Sequence, residues 1–94
     1  MFFKEYKESN NAIAKENLIL KYSYLVKYIA GRLVMYFNHY MDYDDLVSIG
    51  NLGLIDSVER YDYTKNVKFE TYASVRIRGT IIDELRKLDW APRS

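Results

Sequence analysis

Phe69-Glu70-Thr71-Tyr72-Ala73-Ser74-Val75-Arg76-Ile77-Arg78-Gly79-Thr80-Ile81-Ile82-Asp83-Glu84-Leu85-Arg86-Lys87-Leu88-Asp89-Trp90-Ala91-Pro92-Arg93 is the stretch on which the fold turns. Wound at about 3.6 residues per turn, it has two unlike faces. Phe69, Ala73, Ile77, Ile81, Leu85 and Leu88 form an apolar face that belongs in a core. Tyr72, Arg76, Gly79, Asp83, Arg86 and, if the helix reaches it, Trp90 form a second, solvent-facing stripe. Rings stack on bases, and guanidinium groups bind phosphates and base edges, so this stripe suits a nucleic-acid surface. A plainer reading is that Arg76–Asp83 and Asp83–Arg86/Lys87 pair with one another in solvent, which contributes little. Gly79 argues against it. A mid-helix glycine costs about 1 kcal/mol relative to alanine, which implies either close access to the backbone or tight helix packing at that point.

The rest of the chain reads as helix too. One proline, four glycines and no sustained alternating pattern occur in 94 residues, so the spacing predicts an all-α bundle of about four helices. Ser9-Asn10-Asn11 offers caps for a first helix over residues 11–22. Ser23 is placed to cap a second, over 24–38, whose apolar face is Leu25, Val26, Ile29, Leu33, Tyr36 and Phe37. Tyr22, Tyr24, Tyr28, Tyr36 and Tyr40 read as margins of the core. Residues 38–43 form a loop. Asp44 or a neighbour caps a third helix to about Arg60, residues 61–68 are a polar connector, and the fourth helix runs from Phe69 to about Leu88, short of Pro92.

On the third helix Leu46, Val47, Gly50, Leu54, Ser57, Val58 and Tyr61 share one side, where the small residues let another helix approach. Ile49, Leu52 and Ile55 fall opposite, among Asp45, Ser48, Asp56 and Glu59. Apolar side chains rimmed by acid read as a docking site for a basic, partly apolar partner. The alternative is that the N-terminal helix covers them.

Composition narrows the classes. Net charge is +1, but residues 39–59 hold five acids and no Lys or Arg, whereas residues 60–94 hold eight Lys/Arg against five acids. This segregation fits one basic and one acidic partner. With no cysteine and one histidine, Cys-based zinc sites and disulfides are excluded. The charged N-terminus lacks a signal-peptide core, and no apolar run approaches the ~18 residues of a membrane span. The expectation is a soluble, cytoplasmic protein without membrane or cofactor. Asp42, Asp44, Asp45 and Asp56 would be the carboxylates of a metal-dependent hydrolase. Those at 42–45 read better as helix caps, and no nucleophile–base pair accompanies them, so an enzyme is not expected. A generic helical interaction module is the remaining alternative.

Asp45-Leu46-Val47-Ser48-Ile49-Gly50-Asn51-Leu52-Gly53-Leu54-Ile55, then Val58-Glu59-Arg60-Tyr61-Asp62, then Phe69-Glu70-Thr71-Tyr72-Ala73, resembles the second conserved region of bacterial sigma factors. Ile77-Arg78-Gly79, Asp83-Glu84-Leu85-Arg86 and Asp89-Trp90-Ala91-Pro92-Arg93-Ser94 look like the flagellar and motility members and their sporulation relatives. The resemblance implies a single region 2 domain over residues 1–94. Residues 1–22 would be its N-terminal helix, 23–60 its polymerase-binding helices and 61–94 its promoter segment. A third region and a C-terminal helix-turn-helix would follow in such proteins.

It further implies that Asp45, Ser48, Ile49, Asn51, Leu52 and Ile55 meet the clamp-helix coiled coil of the RNA polymerase β′ subunit. Lys65 and Lys68 would track the non-template strand. Phe69, Thr71 and Tyr72 would form a pocket for flipped bases of the minus-ten element. Arg76, Arg78, Asp83, Arg86 and Arg93 would read its sequence, Arg to guanine and Asp to cytosine. An anti-sigma protein is a further implied partner. Housekeeping members carry a tryptophan pair where this chain has Val75 and Arg76, so the indole wedge is missing.

Overall fold

The computed structural model describes Phe3, Lys7 and residues 12–88. Four helices lie within that span: α1 (Ala12–Lys21), α2 (Ser23–Phe37), α3 (Tyr43–Arg60) and α4 (Phe69–Lys87). No strand occurs among the described residues. The all-α bundle expected from the sequence is the fold found, with helix ends within a residue or two of those expected.

α3 begins where Asp42, in extended backbone, accepts the Asp45 N–H at 2.9 Å. Asp44 and Asp45 then stand in its first turn, where carboxylates complement the positive end of the helix dipole. It stops at Tyr61, whose backbone turns extended while its N–H still reaches the Ser57 carbonyl at 2.9 Å.

Ser23 does not cap α2. It is the first residue of that helix, and its hydroxyl donates backward to the Leu20 carbonyl at 2.9 Å. Tyr22 N–H bonds Leu18 O at 3.1 Å, and Leu25 N–H bonds Tyr22 O at 3.0 Å. The interruption is one residue wide because no glycine or proline stands there to end the ladder. A serine bonding back to a preceding carbonyl bends a helix rather than starting one, so α1 and α2 are two arms of a bent rod.

α3 and α4 pack most extensively, with α2 across them. The core holds Leu18 from α1, Val26, Ala30 and Leu33 from α2, Leu46, Leu54 and Val58 from α3, and Phe69, Ala73, Ile77, Ile81 and Leu85 from α4. The apolar face of α4 is therefore as expected but for Leu88. That residue is the C-cap, its N–H closing on Leu85 O at 3.0 Å, and it stays 45% exposed because it lies past the end of the regular helix.

Gly50 and Gly53 bring the helices close. A Cβ at position 53 would lie 2.9 Å from the Ile77 Cα, and one at position 50 would lie 2.8 Å from Val26 Cγ1. Ser57, fully buried on the same face, satisfies its hydroxyl on the Gly53 carbonyl at 2.7 Å. At one end of the bundle Phe3, Tyr22, Tyr61 and Phe69 form an aromatic cluster, with Phe69 4.6 Å from the rings of Phe3 and Tyr22. Its edge-to-face contact with Tyr61, at 5.2 Å, has the geometry that ring quadrupoles favour.

Candidate functional site

The outward side of α3 is set by the burial of the inward side. With Leu46, Gly50, Gly53, Leu54, Ser57 and Val58 turned in, Asp45, Ser48 and Leu52 are turned out. Leu52 is 63% exposed in the middle of an 18-residue helix. Asn51 and Ile55 flank it half-buried. Ile49 is not on this open strip: it is half-buried and packs against the margin of the core. The apolar stripe is thus narrower than the sequence pattern, centred on Leu52 with Ile55 beside it.

Its acidic rim is also thinner. The sequence reading left every acid of residues 39–59 without a local cation, and that is incorrect for two of the five. Glu59 pairs with Lys15 of α1, and Lys7 Nζ donates to the Glu59 carbonyl. Asp56 accepts from Arg60 Nε at 2.5 Å through Oδ1, and from Arg76 of α4 through Oδ2, with Arg76 Nε at 2.9 Å. Three of these cations, Lys7, Lys15 and Arg76, come from distant parts of the chain. Arg60 stands four residues on, just past the boundary at which the acidic segment was closed. Partial burial pushes the Asp56 carboxyl up, but the hydrogen bonds from Arg60 and Arg76 outweigh it and hold the group below its ordinary range.

The connector is tied rather than loose. Tyr61 donates its phenol to the Val67 carbonyl, and Asp62 Oδ1 accepts both the Thr64 N–H at 2.9 Å and the Thr64 hydroxyl at 2.5 Å. Those bonds from Thr64 hold the Asp62 carboxyl below its usual range. Lys65, Lys68 and Thr71 are exposed beside them. Phe69 is only 4% exposed, locked in the aromatic cluster, so it supports this surface from beneath and is not part of it. The sequence pattern gave it both roles, and packing leaves only the interior one.

Tyr72, unlike Phe69, is partly open to solvent. Its ring lies 5.6 Å from that of Tyr61, and the Arg76 guanidinium lies 5.6 Å from its centroid, within cation–π range. Arg76 therefore contacts Asp56 and Tyr72 at once. It does not pair with Asp83, which is exposed and makes no ion pair among the described residues. Lys87 pairs instead with Glu84 at 2.8 Å.

The polar residues of α4 do not form one stripe. Tyr72 and Arg76 lean on α3. Arg78 and Arg86 border a groove against α2, opposite Tyr28, Arg32 and Tyr36. At about 100° per residue, Arg78 is turned well over a right angle from Arg76. Between the two edges lie exposed Val75 and Gly79. A Cβ at position 79 would meet nothing within 4 Å, so tight helix packing does not account for that glycine.

The tyrosines in and around α2 differ in part from expectation. Tyr22 packs against the core, but Tyr24, Tyr28, Tyr36 and Tyr40 are exposed. Leu25, Val26, Ala30 and Leu33 already fill the inward face, and Tyr24 and Tyr28 fall away from it. Arg32 donates to the Tyr28 phenol at 3.1 Å. Arg93 and Trp90 lie outside the described residues. Among those described, no helix is long and apolar enough to cross a membrane.

The residues missed by sequence reasoning are Asp56, Arg60 and Tyr61, which brace Arg76 and Tyr72, and Gly53, which sets the approach of α4. Only the Asp56–Arg60 spacing was a visible signal.

Known proteins resemble this chain in sequence. The family model for sigma-70 region 2 matches residues 18–91, which include α2, α3, the connector and α4. The RNA polymerase sigma-D factor of Bacillus subtilis (strain 168) is 44% identical over 94 residues, all of this chain and 37% of that protein. The RNA polymerase sigma factor FliA of Pseudomonas aeruginosa is 43% identical over 89 residues, 95% of this chain and 36% of its own length. FliA of Escherichia coli (strain K12) is 45% identical over 80 residues, 85% of this chain and 34% of its length. The chain thus spans about a third of the length of these curated relatives. A helical bundle with Leu52 open on α3 and Tyr72 braced on α4, matched along nearly its whole length by that family model, belongs to the sigma-70 region 2 family.

Proposed function

We propose that this chain is the part of a sigma factor that joins RNA polymerase and opens promoter DNA, and that it serves flagellar or motility genes. It does no covalent chemistry. Residues 1–94 act as one region 2 unit. The strip around Leu52, with Asp45, Ser48, Asn51 and Ile55, docks on the β′ clamp helices, with Ile49 at its edge. Lys65, Lys68, Thr71, Tyr72 and Arg76 meet the non-template strand of the minus-ten element. Asp83 adds to this surface from the strip it shares with Val75 and Gly79, while Arg78 and Arg86 contribute from the edge of α4 that faces α2, and Arg93 from beyond the helix. An anti-sigma protein is a third partner.

One observation carries the reading: the family match falls on a fold in which Leu52, in mid-helix, remains 63% exposed. A leucine so placed loses free energy until a partner covers it, about 1.5–3 kcal/mol if burial is complete. Tyr72 supplies the complementary function. Unstacking a base costs a few kcal/mol, and a ring that receives it returns ~1–3 kcal/mol.

The test is holoenzyme reconstituted with core polymerase on a motility promoter, with unpaired thymines read by permanganate. Leu52→Arg is expected to weaken polymerase binding, while Tyr72→Ala leaves that binding intact and reduces melting. Equal loss of polymerase binding in both variants would overturn the division of labour between α3 and α4.

A further inference from the structure

We propose that Asp56 is a positioning residue for promoter recognition: from α3, it sets the Arg76 guanidinium against Tyr72 with the recognising end of its fork turned outward. The inference rests on the reading of Tyr72 and Arg76 as DNA-facing and adds a residue that reading did not contain.

The geometry is specific. Arg76 Nε and Nη2 both donate to Asp56 Oδ2, Nε at 2.9 Å. The other carboxylate oxygen is held by Arg60 Nε at 2.5 Å. A carboxylate held on both oxygens is restrained, and it restrains the arginine it holds in turn. The Nε edge of the guanidinium is spent on Asp56. Nη1 makes no hydrogen bond among the described residues, and with the second Nη2 hydrogen it leaves the end of the fork open. Two parallel N–H groups at that end suit the paired acceptors of a guanine edge or a phosphate. The plane is further limited by the Tyr72 ring 5.6 Å away. Arg76 is thus partly ordered before DNA arrives, and binding need not freeze a long side chain.

Two other roles are open to this ion pair, and they differ in outcome. As a restraint, Asp56 would withhold Arg76 from DNA. As a plain structural link between helices, it would affect DNA only through folding. In both of those cases promoter discrimination stays constant. In the proposed role it falls, while binding to unrelated DNA holds or rises because a carboxylate has left a phosphate-facing surface.

The experiment compares wild type, Asp56→Ala, Asp56→Asn, Asp56→Glu, Arg76→Ala and the Asp56→Ala/Arg76→Ala double variant in holoenzyme with core RNA polymerase. Each is titrated with a promoter fork DNA and with the same fork carrying a scrambled minus-ten sequence, and thermal midpoints are recorded in parallel. Asp56→Ala is expected to lower the affinity ratio of the two forks roughly two- to fivefold, the size of a half-exposed ion-pair coupling. Asp56→Asn, which keeps the shape if the alanine variant folds poorly, should lower it as well. Asp56→Glu should recover part of the ratio, and the double variant should be no worse than Arg76→Ala. A rise in promoter-fork affinity at constant ratio overturns the proposal in favour of restraint. A parallel fall on both forks with a lowered midpoint overturns it in favour of a structural link. If Arg76→Ala lowers the ratio and both Asp56→Ala and Asp56→Asn do not, only the role of Asp56 fails. If Arg76→Ala leaves the ratio at the wild-type value, the DNA-facing assignment of Arg76 fails and this inference with it.

Discussion

Gly53 faces the backbone of Ile77 so closely that a Cβ on Gly53 would stand 2.9 Å from the Ile77 Cα and 2.9 Å from Thr80 Oγ1. That contact fixes the separation of α3 from α4, and with it the placing of Tyr72 and Arg76 against Tyr61 and Asp56. Gly53→Ala gains helix propensity of about 1 kcal/mol, but a backbone atom cannot yield as a side-chain tip can, and overpacking costs about 1–3 kcal/mol. The expected result is net destabilisation by roughly 1 kcal/mol, read as a lower midpoint in urea at unchanged slope. Fork binding should fall in the same variant, because Arg76 is carried away from Asp56.

Gly79 is the opposite case. It stands in the middle of α4, and a Cβ there meets nothing within 4 Å. Gly79→Ala is expected to raise stability by about 0.5–1 kcal/mol. If the strip from Val75 to Asp83 meets DNA closely, the more stable variant should bind the promoter fork less well. A higher melting temperature with undiminished fork binding would remove the reason proposed for the glycine.

Phe69 and Tyr72 are three residues apart and differ in kind. Phe69 is buried among Phe3, Tyr22 and Tyr61, so Phe69→Ala should cost about 3–5 kcal/mol. Tyr72 is half-buried at the edge of that cluster, and Tyr72→Ala should cost far less stability while abolishing more melting activity per molecule folded. Circular dichroism melts beside permanganate footprints separate the two. Equal stability losses would place Tyr72 in the core.

The contrast shows what the sequence could carry. Ile77, Ile81 and Leu85 were legible because burial repeats with the helical period, and an acidic cap near residue 44 was legible because caps are local chemistry, although the cap is Asp42 and Asp44 stands in the first turn. Leu52 stood out as an apolar residue on the wrong side of α3. Ile49 did not separate from it, because periodicity gives a side-chain angle but not how far a neighbouring helix reaches. Asp56–Arg76 joins positions 20 apart and Lys15–Glu59 positions 44 apart, and no helical period links such residues. The angle between Arg76 and Arg78 follows from the period, but which helix each edge of α4 faces was hidden, since it depends on where α2 and α3 lie.

The Asp56 bridge carries a pH signature of definite sign. Its carboxyl is held below the ordinary range in the folded chain by Arg60 and Arg76, against the upward push of partial burial. A depressed carboxylate contributes stability above its unfolded pKa, about 3.9, and loses that contribution as pH falls through the lower folded value. Asp62, held down by Thr64, acts in the same direction. Asp56→Asn removes the first of these. The midpoint difference between wild type and Asp56→Asn is therefore expected to be constant from neutral pH to about pH 5 and to close below about pH 4. Raising the salt concentration should narrow the difference at neutral pH, because both partners of the bridge reach solvent. Thermal melts of the two proteins across that pH range decide it. A gap that widens on acidification would mean that Asp56 is not stabilised as a carboxylate, and the bracing of Arg76 would lose its electrostatic basis.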